Sequence, residues 1–398
     1  MGYQRATQGP TAATGISRLL ALLAPPPTPH QTYRNLDGLR LIASVGIVLF
    51  HYNIYLSHAI PYTRPFTQRF PYFVDLFFVI SGIVIAMVYG GRLATPRHYA
   101  AFVSARLARL YPLHLVTLLF YAGIGALALA GTLRVINPER YDFHDFVPNL
   151  LLVHAWGFGE GFSFNYVSWS VSAEFFCYLA FPLLLRAIRG SALRGLLAVT
   201  LIAFAAELAV GLILEHFPAP PGYNVDFVRR AVVGFSLGIY IYLHRERWAR
   251  RFGARTIRFL GQLVFFAMLA ALMSEASAEL SLALVYLAVF LSFVADEKGV
   301  ALVPAWKGFS GLAELTYAVY MLHTVAATVV VSFLFPRLFG TSDWAVAASL
   351  AASLGVTYVL SVLTFRYLED PARKAWRRTT DRWLLGPRPA GSAKAAAE

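Results

Sequence analysis

Leu36-Asp37-Gly38-Leu39-Arg40-Leu41-Ile42-Ala43-Ser44-Val45-Gly46-Ile47-Val48-Leu49-Phe50-His51-Tyr52 is apolar enough to cross a bilayer, yet it carries Arg40 and His51. At 100° per residue, eleven residues bring these two side chains to within about 20° of one direction, about 16 Å apart along a helix. Asp37, Ser44, Val48 and Tyr55 fall near the same stripe. One face of a membrane helix is therefore polar over much of its length. Ionisable groups inside a span are costly and by default mark a functional site facing protein or water. The plainer alternative is an Arg and a His kept in a bundle interior for packing.

The rest of the chain fits a bundle. Of its 398 residues 58% are hydrophobic and 14% charged, against about 25% charged in soluble domains. An aromatic share of 15% suits belts at the two membrane interfaces. Ten stretches have the length that a bilayer core requires: 37–57, 72–90, 112–131, 167–185, 195–214, 228–243, 259–275, 279–295, 312–334 and 344–366. The fold class expected is all-α, a polytopic membrane protein with about ten transmembrane helices. Ten spans put both termini on one side. On that side lie 26 Lys and Arg, on the other seven, and Arg40 sits within a span. The positive-inside bias makes the first side, with both termini, cytoplasmic. It also accounts for the net charge of +13 without nucleic acid. Residues 1–33 read as a tail whose apolar run, Leu19 to Ala24, is too short for a signal peptide. Residues 34–371 form the membrane domain, and 372–398 a basic tail expected to be disordered. The longest outer connection, Thr132 to Tyr166, has an apolar middle, Phe146 to Trp156, expected to be interfacial or re-entrant. The one cysteine, Cys177, allows no intramolecular disulfide.

With the orientation set, depths follow. His51, Asp75 and Glu174 come from three spans and share the outer half of the bilayer. A His beside a carboxylate is a general-base arrangement, since the carboxylate fixes the tautomer and stabilises the imidazolium. The plainer reading of each carboxylate is a helix-end residue near the headgroups. Arg106 and Arg109 are i,i+3 on a short cytoplasmic helix, where two guanidiniums suit bidentate binding of phosphates. Ordinary positive-inside anchoring is the alternative. Glu314, Tyr317, Tyr320 and His323 recur at intervals of three, and a lone buried His of this kind is more often structural. Glu369 is expected to pair with a basic loop. No Cys/His cluster has metal-ligand spacing, so no metal is expected, and neither a phosphate-binding glycine loop nor a Gly-x-Ser-x-Gly turn is present. A transporter of a glycan or small solute is the reading from another class, but it calls for two similar halves, and no internal repeat is visible.

The motifs together resemble acyltransferase family 3, the membrane O-acyltransferases that include bacterial polysaccharide O-acetyltransferases. The resemblance covers about Arg34 to Lys374. It rests on Leu36–Arg40 with His51, Asp75-Leu76-Phe77-Phe78-Val79-Ile80-Ser81-Gly82, Arg106-Leu107-Ala108-Arg109-Leu110-Tyr111-Pro112, Trp169-Ser170-Val171-Ser172-Ala173-Glu174, Tyr317-Ala318-Val319-Tyr320-Met321-Leu322-His323 and Glu369-Asp370-Pro371-Ala372-Arg373. It implies a bacterial inner-membrane enzyme moving an acyl group, acetyl by preference, from acyl-coenzyme A to a hydroxyl. No bound cofactor is implied. The acceptor implied is a surface polysaccharide or other glycan, with a macrolide-like acceptor as the alternative. The Arg40/His51 and Arg106/Arg109 pairs match the family's functional residues. On this reading Arg106 and Arg109 hold the donor's phosphates, Arg40 touches the donor, and Gly82 is placed to let the pantetheine arm pass. His51, oriented by Glu174 or Asp75, removes the acceptor's proton or carries the acyl group. Trp169, Tyr317, His323 and Glu369 are acceptor-side or structural. Where relatives often have two adjacent carboxylates, this chain has Glu174-Phe175, which leaves a paired-carboxylate role without a partner.

Overall fold

In hydrocarbon a backbone must satisfy its own hydrogen bonds, so long apolar runs become helices. The computed structural model describes residues 22–26, 33–59, 65–135, 137–158, 162–216, 226–303 and 310–385. Among these there are helices and no strand. The main elements are α1 (Arg34–Ala59), α2 (Phe73–Tyr89), α3 (Pro96–Leu129), α4 (Trp169–Ile188), α5 (Ala192–His216), α6 (Asp226–Leu243), α7 (Ala254–Leu272), α8 (Ala278–Glu297), α9 (Thr316–Ala327), α10 (Asp343–Thr364) and α11 (Asp370–Leu385). α9 continues as a wider π turn, Thr328–Leu334. Each of the ten expected stretches is helical, and nine helices among the described residues are long and apolar enough to cross a membrane. The tenth, α6, has the length but carries Asp226, Arg229 and Arg230. The chain is thus an all-α, polytopic membrane protein. The tail expected over 1–33 lies mostly outside the described residues, as do residues 386–398.

Three departures from the sequence expectation position the site. First, Arg106 and Arg109 are not on a separate short helix. Thr95 caps α3 by accepting from His98 N, Pro96 occupies its first turn, and the helix then runs 34 residues through Pro112. The arginine pair is therefore fixed rigidly to the spanning part. Second, the C-terminal segment is helical as far as Leu385. α11 docks on α3, where Trp376 Nε1 donates to Ser104 Oγ at 3.0 Å and its ring meets Tyr111 edge-on. The Trp376 indole supplies an apolar anchor on a helix rich in charge. Third, Gly82 serves helix packing. A Cβ there would lie 2.1 Å from Phe235 O, and one on Gly238 would lie 2.1 Å from Val79 O. α2 and α6 cross backbone to backbone at this point, so the missing side chain of Gly82 is filled by α6 and not by a donor arm.

The same α2–α6 contact explains Asp75. Its side chain is 0% exposed and faces Arg230, which donates from Nε at 3.2 Å and from Nη2 at 2.5 Å. The guanidinium also lies over Trp169, 5.3 Å from the ring centre, and Trp169 in turn stacks on Phe227 at 4.1 Å. Removing one member of a buried pair strands the other, at a cost of about 3–5 kcal/mol. Asp75→Ala is therefore expected to lower the thermal midpoint of the detergent-purified protein sharply, while Asp75→Ala/Arg230→Met recovers part of the loss. Equal midpoints for wild type and Asp75→Ala would show that the pair carries no stability.

The connection between α3 and α4 folds back into the bundle, as expected for a segment that does not span. It contains a short helix, Phe146–Leu150, and a turn over His154–Phe158 in which Gly157 takes a positive φ of 88°. Asn149, Ser163 and His154 are buried here and tie the segment down. Asn149 Nδ2 donates to Asp145 O and Ser163 Oγ, and Asn149 O accepts from His114 Nε2 on α3 at 2.8 Å.

Candidate active site

A cavity of about 350 Å³ opens between α1, α2, α3, α4, α9 and α11. Arg40, Arg106, Arg109, Arg373 and Arg377 line it, with Glu174 and Glu314 as the acidic groups. Arg40 is steadied by Asp37, 3.4 Å away, and by Thr316 Oγ1, to which it donates at 3.2 Å. Arg106 donates to Tyr89 OH at 3.1 Å and lies over that ring, and its buried Nε has no partner. Tyr317 completes the wall by donating to Leu110 O at 2.6 Å. Glu369 is buried beside the arginine wall, in the field of Arg109 and Arg373, and one of its oxygens has no hydrogen-bond partner. Five guanidiniums converging on one cavity suit a polyanion. Each can present a planar fork to a phosphate.

Ser170 and Tyr320 also line the cavity. Tyr320 OH is anchored to Ser170 Oγ at 2.7 Å and to Val167 O at 2.9 Å. Its ring and that of His323 are 6.2 Å apart between centroids. Neither His323 nor His51 lines the cavity. They form a pair of their own, with His51 Nδ1 and His323 Nε2 2.8 Å apart and their rings stacked at 5.0 Å. The tautomers follow from the partners. Val319 O, 3.2 Å from His323 Nδ1, can only accept, so Nδ1 carries the hydrogen. In the neutral ring Nε2 is then bare and accepts from His51 Nδ1–H. That leaves a lone pair on His51 Nε2, the state a general base requires. His323 is 0% exposed, while His51 keeps some exposure.

The carboxylates read from the sequence as partners of His51 are engaged elsewhere. Asp75 is turned towards Arg230 on α6. Glu174 accepts from Tyr178 OH at 2.7 Å and faces the arginine cavity. The three residues come from neighbouring helices, but depth alone does not fix the direction in which each helix turns its side chains. His51 is instead oriented by His323. The i,i+3 series Tyr317-Tyr320-His323 was the available signal, and its regular spacing does place all three on one face of α9. Arg373, the last residue of the Glu369–Arg373 motif, and Arg377, in sequence one of the tail's charges, lie i,i+4 on α11 and also line the cavity. The structure therefore brings Arg40, Arg106, Arg109, Glu174 and Tyr317 to the cavity and sets His51 with His323 outside it. Asp75, Gly82 and Trp169 belong to the α2–α6–α4 packing. Among the described residues no group of three or more His, Cys, Asp or Glu is placed to hold a metal ion.

Residues 33–366 match the family model described as an acyltransferase domain, that of acyltransferase family 3. Acyltransferase MdmB of Streptomyces mycarofaciens is 36% identical over 148 residues, 37% of this chain and 36% of that protein. Protein 2 in the picA locus of Rhizobium radiobacter is 36% identical over 99 residues, 24% of this chain and 47% of that protein. The chain thus spans between a third and a half of the length of these curated relatives. No solved structure matches it. A match over most of the membrane domain, with the Arg40/His51 and Arg106/Arg109 motifs in their order, places the chain in acyltransferase family 3.

Proposed function

We propose that the protein is an O-acyltransferase of the bacterial inner membrane. It moves an acyl group, by preference acetyl, from acyl-coenzyme A to a hydroxyl of a surface glycan. The observation that carries this reading is the arginine-lined cavity that Tyr320 helps to line, with the His51–His323 pair beside the Tyr320 ring. The cavity suits the nucleotide phosphates of coenzyme A and the pair suits deprotonation of an alcohol. Arg106, Arg109, Arg373 and Arg377 hold the donor, with Arg40 at the inner rim. His51 Nε2 takes the acceptor's proton, and His323 holds His51 in the right tautomer. Family membership and the relative named an acyltransferase support the class of reaction. The glycan is preferred because the histidine pair sits at the end of the bundle away from the arginine cavity. That end is the outer one when both termini are cytoplasmic. A reporter fused at Glu398 is expected to behave as cytoplasmic, and periplasmic activity there would reverse the whole assignment of sides.

The test is release of free coenzyme A by the purified protein given acetyl-coenzyme A and a panel of sugars, oligosaccharides and macrolides. Mass spectrometry of the acceptor then reads the added acyl mass. Uptake of solute into proteoliposomes with no covalent change would support transport instead. On the donor side, a charge-assisted contact to phosphate contributes about 1.5–3 kcal/mol, roughly ten- to hundredfold in affinity. Arg106→Ala and Arg109→Ala are expected to raise the KM for acetyl-coenzyme A by that factor and leave the acceptor KM unchanged. Donor titrations matching wild type at equal membrane abundance would reduce the pair to a topology anchor.

A further inference from the structure

Arg140 lies on the connection between α3 and α4, and the reading above gives it no task. Rings enclose its guanidinium. Cζ is 4.3 Å from the centre of Tyr121, 4.7 Å from Tyr166 and 5.7 Å from Tyr141. Nε donates to Phe164 O at 2.7 Å, and Arg140 O accepts from Phe164 N at 2.8 Å. Nη2 is buried with no hydrogen-bond partner. Among the described residues no carboxylate forms an ion pair with the group.

A buried cation ordinarily has an anion beside it, because desolvating an unpaired charge is expensive. Three π faces offset part of that cost. They do not satisfy hydrogens lying in the guanidinium plane, and Nη2 carries two of these. The unpaired charge is also next to the general base. Tyr166, whose face covers Arg140, meets the His51 ring at 5.0 Å and 73°. Tyr166 thus touches both groups, its face to the Arg140 guanidinium and edge-on to the His51 imidazole.

We propose that Arg140 is the oxyanion donor of the acyl transfer. The inference rests on the acyl-transfer reading above. The acceptor oxygen bonds to the acyl carbon as its proton passes to His51 Nε2. The carbonyl π pair moves onto the carbonyl oxygen, and Nη2–H of Arg140 donates to that oxygen. When the tetrahedral intermediate collapses, the carbonyl reforms, the carbon–sulfur bond breaks, and the thiolate takes the proton back from His51 to leave as coenzyme A. The guanidinium remains charged throughout, so it stabilises the intermediate without a proton transfer of its own. A donor already held in place by Phe164 and three rings needs no reorganisation when the charge develops, which is what makes such groups effective.

The test uses the full-length protein, acetyl-coenzyme A and an acceptor that supports coenzyme A release by the wild type. Removing one oxyanion donor lowers kcat by about 10²–10³-fold. Arg140→Gln is expected to show that loss with both KM values nearly unchanged, and Arg140→Lys, which keeps the charge, to retain more of kcat than Gln. A rise in acceptor KM with kcat intact would make Arg140 an acceptor-binding group and overturn the proposal. Unchanged kinetics would overturn it as well, and so would failure of both variants to accumulate in the membrane, which assigns Arg140 to holding the loop. His51→Ala is measured alongside. If it too keeps full turnover, the placing of the reaction at His51 fails and with it the role of Arg140; if it alone is inactive, only the role of Arg140 fails.

Discussion

His51→Ala is expected to insert at wild-type abundance and to lose turnover by about 10²–10⁴-fold, the usual contribution of a positioned general base. The expectation rests on one lone pair. His323 Nδ1 is committed to Val319 O, so His323 Nε2 accepts from His51 Nδ1 at 2.8 Å, and His51 Nε2 is left bare. Alanine removes that lone pair together with the contacts to His323 and Tyr166, while His51 itself keeps some exposure. The loss will be larger if the imidazole also carries the acyl group between donor and acceptor. A second proton on the pair occupies the base, so turnover should fall as the pH is lowered. Coenzyme A release by His51→Ala and His51→Gln in matched membranes is the measurement. Near-wild-type turnover in either would return His51 to a packing role.

His323→Leu should be almost as damaging, although His323 is a second residue away from the reacting atoms. Leucine fills the space but accepts nothing, so His51 Nδ1–H loses its partner and the ring is free to adopt the other tautomer. In serine proteases, loss of the group that orients the catalytic histidine costs about 10⁴-fold. A neutral imidazole is a weaker partner than a carboxylate, so about 10²–10³-fold is expected here. His323→Gln separates orientation from packing, since its amide oxygen can reach the place of Nε2 and accept from His51. Gln is expected to retain clearly more turnover than Leu, with donor and acceptor KM little changed in both. Equal activity of Leu, Gln and wild type would leave His51 without an orienting partner and would remove His323 from the mechanism.

Sequence alone predicts a milder outcome for His323, and the reason shows what was legible. Apolar runs of about twenty residues must be helices, so the bundle, the number of its spans and the shared face of Arg40 and His51 follow from periodicity. Arg106 and Arg109 also follow, because i,i+3 arginines face together on any helix. The azimuth of each helix about its own axis is set by packing and is written only in contacts between distant residues. Asp75 turns to Arg230, 155 positions away, and Glu174, beside Tyr178 one turn on, turns to a cavity that Glu314, Arg373 and Arg377 also line. His323 reaches His51 across 272 positions. No local pattern distinguishes these pairings from the alternatives at equal depth. Arg140 was hidden for a different reason. On a connecting segment it looks like any surface charge until the ring contacts of Tyr121, Tyr141 and Tyr166 are seen.

Tyr320 lines the arginine cavity and its ring lies 6.2 Å from that of His323, with its hydroxyl tied to Ser170 and Val167. On the proposed reading the ring acts as a septum that the acyl group crosses. Each elementary charge that crosses a bilayer at 100 mV exchanges about 2.3 kcal/mol with the field. A neutral acyl group passing such a septum exchanges none. On the proposed reading, transfer of the acyl group leaves the membrane's voltage intact, and the donor's phosphates stay on the side on which they are bound.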